Sequence, residues 1–179
     1  MSARDQAMKK SDAPFFIALA AAVVLAAPAG AHVTLENREA SPGSYYKAVF
    51  AVPHGCAGSP TVKIRVQIPE GVIGVKPMPK PGWTVETVRS PYPASYQLHG
   101  RTVSEGVREV AWSGRLSDDN YDEFVLSVFL TGTLKPEGTL YFPVVQECEQ
   151  GVSRWIEIPQ QGKHDGKSPA PGVKLIVKP

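Results

Sequence analysis

The chain has 179 residues, a formal net charge of +2 and two cysteines. That length suits one domain with a short appendage. Charged residues make up 20% with nearly cancelling signs, which excludes the basic footprint of a nucleic-acid binder. Hydrophobic residues at 42% are enough to build a core, and this excludes a disordered chain.

Phe15 to Ala27 (FFIALAAAVVLAA) is an apolar run preceded by Lys9 and Lys10 and followed by Ala29-Gly30-Ala31. It is short for a bilayer span. A positive flank, a short apolar stretch and an A-x-A site together read as a secretory signal peptide over residues 1–31. Cleavage after Ala31 leaves a single domain over 32–179, starting at His32 and delivered across the inner membrane, into the periplasm. In that oxidising compartment two cysteines pair, so Cys56 and Cys148 are expected to form a disulfide.

Period-two alternation dominates the mature chain. His32 to Glu36 alternates, with Val33 and Leu35 on the core face and His32, Thr34 and Glu36 on the other. Ser41-Pro42-Gly43-Ser44 is a turn, and Tyr45 to Val52 reads as a strand. Thr61 to Ile68 sets Val62, Ile64, Val66 and Ile68 on one face. Val72 to Val75 is a short extended piece, followed by a Pro-rich loop over residues 76–82 that cannot be helical. Trp83 to Val88 is the next strand. Residues 89–106 read as a polar excursion with a weak strand near Tyr96 to Leu98. Strands are expected at Val107 to Ser113, Phe124 to Thr131, Thr139 to Cys148 and Val152 to Ile158. Residues 159–172 read as a linker before a last strand, Val173 to Val177. About eight or nine strands without a helix predict an all-β, two-sheet antiparallel sandwich.

Three residues carry chemistry. After cleavage His32 has a free α-amine beside its imidazole. An α-amine and an imidazole both yield their nitrogen lone pairs to a metal, and two such donors on one residue close a chelate ring. Nitrogen donors in a tetragonal arrangement favour Cu(II). In Val152 to Ile158, burial of Ile156 and Ile158 turns Trp155 and Glu157 outward, and an outward indole can meet a cation through its π face. His54 follows Val52-Pro53, and the expected disulfide gathers His54, Glu147 and the Trp155 hairpin in one region. Met78, His99 and His164 lie in polar loops.

The mature region resembles the YcnI-like family of secreted bacterial copper-binding domains. The matching features are Ala-Gly-Ala before His32-Val33-Thr34, then Ser41 to Tyr45, Val52-Pro53, Lys76-Pro77 through Pro81-Gly82-Trp83, and Gly151 through Trp155. The resemblance implies a cupredoxin- or immunoglobulin-like sandwich. It implies Cu(II) held by the His32 amine and imidazole, with a carboxylate and Trp155 nearby. Where founding members carry an acidic residue after Val-Pro, this chain has His54-Gly55-Cys56. His54 can replace that carboxylate, or Glu36 or Glu147 can supply it. The implied role is non-enzymatic copper homeostasis or trafficking, with a copper-transfer protein as partner and no membrane insertion of the mature domain. The alternatives are a copper-dependent oxidative enzyme with the same brace and a metal-free interaction module.

Overall fold

A computed structural model describes residues 32–159 and 166–178. The expected signal peptide and His164 lie outside these residues. Among the described residues there are twelve strands and no helix. The all-β expectation holds, and the chain is divided more finely than its alternation suggests.

One sheet is built around β3 (Ser44–Val52) and β8 (Asp122–Leu130), paired antiparallel from Ser44↔Leu130 to Val52↔Asp122. β1 (Thr34–Leu35) and β5 (Val72–Pro77) flank them, in the order β1-β3-β8-β5. The second sheet has the order β11-β10-β4-β7-β6. Its strands are β4 (Thr61–Gln67), β6 (Thr84–Leu98), β7 (Arg101–Leu116), β10 (Val144–Cys148) and β11 (Val152–Trp155). Their inward residues form one core, with Phe50, Phe124, Trp112, Ile64, Val66 and Phe142 fully buried. A third, smaller sheet of β2 (Glu39–Ala40), β12 (Gly172–Leu175) and β9 (Thr139–Tyr141) closes one end. Its β2–β12 pairing is parallel.

Three departures have physical causes. Residues 89–106 are no loop: β6 and β7 form a long hairpin turned at His99-Gly100, both with positive φ (50° and 72°). Those angles suit a tight two-residue turn. The prolines at 91 and 93 that suggested a loop are tolerated because β6 is an edge strand. The expected strand Thr139 to Cys148 is broken at Phe142-Pro143 into β9 and β10, which join different sheets. Pro143 has no N–H for a ladder, although its carbonyl accepts from Gln67 N–H at 2.9 Å. Along Thr61 to Ile68 the expected face holds at Ile64, Val66 and Ile68 but not at Val62, because a bulge between Thr61 and Lys63 turns Thr61 fully inward instead.

Candidate functional site

The Cys56–Cys148 disulfide is formed, with S–S 2.05 Å and Cα–Cα 5.9 Å. It ties the loop after β3 to the end of β10, as the compartment argument expects. Glu149-Gln150 then turns the chain into β11, closed by Cys148 N–H to Gly151 C=O at 3.1 Å. That closure fixes the register, so Trp155 pairs with Val144, a core position.

Trp155 therefore faces inward and is 8% exposed, while Ile156 and Ile158 are 44% and 52% exposed. This corrects the outward placement expected from alternation. The reason is that β11 ends at Trp155. The N–H groups of Ile156 and Glu157 both turn to the Ser168 carbonyl, each at 3.1 Å, so the period does not continue past the strand.

The Trp155 indole N–H donates to Gln146 Oε1 at 3.0 Å. Gln146 is 1% exposed and uses its amide nitrogen twice, donating to His54 C=O at 2.7 Å and to Thr61 Oγ1 at 2.8 Å. One buried amide thus links β11, β4 and the loop after β3. Every polar atom of that amide has a partner, as burial demands. Sequence reasoning passed over Gln146. The signal was present: Val144, Gln146 and Cys148 alternate onto the core face, and a polar residue there needs partners.

His32 meets this network from the other sheet. Thr34 pairs with Ala51 and Leu35 with Phe50, so continuing the register places His32 beside Pro53. Its ring packs edge-on against Trp155, with centroids 5.2 Å apart and planes at 68°. With its N–H committed to Gln146, the indole offers His32 only carbon and π surface.

The other expected ligands are arranged differently. His54 is half-buried, with Nδ1 2.5 Å from Gly55 O, and its carbonyl belongs to the Gln146 network. Glu36 is exposed, just beyond β1. Its charge and, more strongly, burial push the Tyr46 hydroxyl up to about 12, and that hydroxyl donates to the Asn37 carbonyl. Glu147 lies on the opposite face of β10 from Gln146, because successive residues alternate. There it pairs with Arg65 at 2.9 Å. The disulfide brings Glu147 close in sequence but on the wrong side of the sheet. Among the described residues no group of three His, Cys, Asp or Glu side chains gathers closely enough to hold a metal. Met78 and His99 are exposed, and His99 Nε2 lies 2.8 Å from the Tyr45 hydroxyl.

These features define a disulfide-stapled β-sandwich with an aromatic corner at its first strand. A domain of unknown function, DUF1775, matches residues 32–175. That is most of the chain, and the protein belongs to this family, the YcnI-like domains. Among solved structures, one titled "Crystal structure of an uncharacterized protein from Nocardia farcinica reveals an immunoglobulin-like fold" is similar. It is 22% identical with a TM-score of 0.60, over 81% of this chain and 98% of that one. At that identity the likeness shows the fold alone. No curated protein matches the chain.

Proposed function

We propose that this protein binds Cu(II) outside the cytoplasm, in copper homeostasis or trafficking, through the amine and imidazole of a mature N-terminal His32. The observation that carries the reading is the packing of His32 against Trp155, 5.2 Å between ring centroids, at a corner held by Gln146 and the disulfide. The family match begins at residue 32, the residue that the expected cleavage exposes. The formed disulfide suits an oxidising compartment. No helix among the described residues is long and apolar enough to cross a membrane.

The donor set fits a two-nitrogen chelate. His32 is half-buried and lines a cleft, and a single residue supplies both nitrogens. No second protein donor is needed for that chelate, so the remaining positions stay available for exchange with a transfer partner. Copper is cargo in this reading, and the protein is not an enzyme.

The test is a Cu(II) titration of protein beginning at His32, against the same protein with one added N-terminal Ala, read by electron paramagnetic resonance. A stoichiometric tetragonal signal lost or altered in the extended form supports the reading. Equal weak binding by both refutes it. Trp155→Phe is expected to perturb the signal, and His54→Ala reports whether that imidazole takes part.

A further inference from the structure

The four-stranded sheet has an unfinished edge beside His32. β1 is its outer strand. Thr34 pairs with Ala51, and the Glu36 N–H donates to Val49 C=O at 3.1 Å. In an antiparallel ladder successive residues turn their backbone groups to opposite sides. The N–H and C=O groups of Val33 and Leu35 therefore point away from β3. Both residues are 2% exposed, yet no backbone partner meets these groups among the described residues.

The cause lies in the facing segment, Pro169-Ala170-Pro171-Gly172. Its two prolines have no N–H to offer. The amide of Ala170 is already given to Glu157 C=O at 2.9 Å. The two stretches cannot zip together. They leave an open cleft of about 190 Å³, lined by His32, Thr34 and Arg38 among others. Arg38 is the one charged Lys, Arg, Asp or Glu side chain in that lining, and it makes no ion pair among the described residues.

We propose that this cleft binds a small α-hydroxy or α-amino carboxylate. The Leu35 N–H group and the Arg38 guanidinium are donors for the carboxylate oxygens. The carbonyls of Val33 and Leu35, on the same edge, accept from the hydroxyl or ammonium beside it. At about 30 Å³ per water, the volume holds a molecule of several heavy atoms. The site deepens the copper reading and in that respect rests on it. His32 and Arg38 line the same cleft, and an anion bound there offsets the repulsion of the unpaired guanidinium for a metal at His32. Ligands of this class chelate Cu(II), so the cargo class is copper carried as a small hydroxy- or amino-carboxylate complex.

The test uses metal-free, ¹⁵N-labelled protein beginning at His32, titrated with glycolate or with chloride at equal ionic strength. Expected are saturable one-to-one shifts of the Val33 and Leu35 amides with glycolate and not with chloride. Arg38→Gln weakens glycolate roughly tenfold or more, the share of a charge-assisted hydrogen bond. Arg89→Gln, altering an exposed arginine paired with Glu105, leaves it unchanged. Shifts that do not saturate, or equal affinity in Arg38→Gln, overturn the proposal. A second arm measures Cu(II) affinity with and without glycolate. Saturable glycolate binding without any Cu(II) binding sinks the copper reading and keeps the cleft. Cu(II) binding without glycolate shifts does the reverse.

Discussion

Gln146→Leu tests the corner on which the site depends. Leucine keeps the approximate volume and removes three hydrogen bonds, at 3.0, 2.7 and 2.8 Å. The Trp155 N–H then stays buried without an acceptor, which costs about 1–3 kcal/mol. The His54 carbonyl sits at a half-buried loop and can turn to water, so its loss adds roughly 1 kcal/mol. Thr61 Oγ1 retains a long contact with Cys148 Sγ at 3.8 Å, so it adds less. The more apolar side chain offsets roughly 1 kcal/mol. The net expectation is a loss of about 2–3 kcal/mol, read by urea unfolding of the oxidised protein with an unchanged m-value. A change below about 0.5 kcal/mol would show that the network is replaceable, and would refute the claim that Gln146 holds the Trp155 corner.

Two further outcomes follow from the same structure. Replacing both cysteines by serine opens a link spanning 92 residues. The chain-entropy model gives a loss of about 4–5 kcal/mol, and an unfolding midpoint within error of the wild type would contradict it. The Tyr46 hydroxyl is raised from 10.0 to about 12 by burial and by Glu36. Between those values the unfolded chain has released the proton and the folded chain has kept it. Stability therefore falls as pH rises from 10 towards 12. Tyr46→Phe should flatten that decline in part, because Tyr121, raised chiefly by its hydrogen bond to Glu123, acts in the same sense. An identical alkaline slope in the variant would remove Tyr46 from the account.

Much of the fold was legible because alternation is a local property. Ile64, Val66 and Ile68 face the core as their spacing says, and so do Val33 and Leu35. The cysteine pair followed from compartment and count alone. The register of one strand on another is not local. At Trp155 the neighbouring isoleucines suggested one parity, while the turn after Cys148 imposed the other. At Glu147 proximity in sequence to the disulfide suggested closeness to His32, but the pleat sends its side chain to the far face, onto Arg65.

An all-β, disulfide-linked domain can be read along the chain, with His32 and Trp155 marked as residues to watch. Side-chain period, turn residues and thiol chemistry are written along the chain. The burial of Trp155 against His32, its anchoring by Gln146 and the open edge of β1 beside Arg38 come from the three-dimensional arrangement. Each of those depends on which strands meet and in what register, and that is set by packing between distant segments.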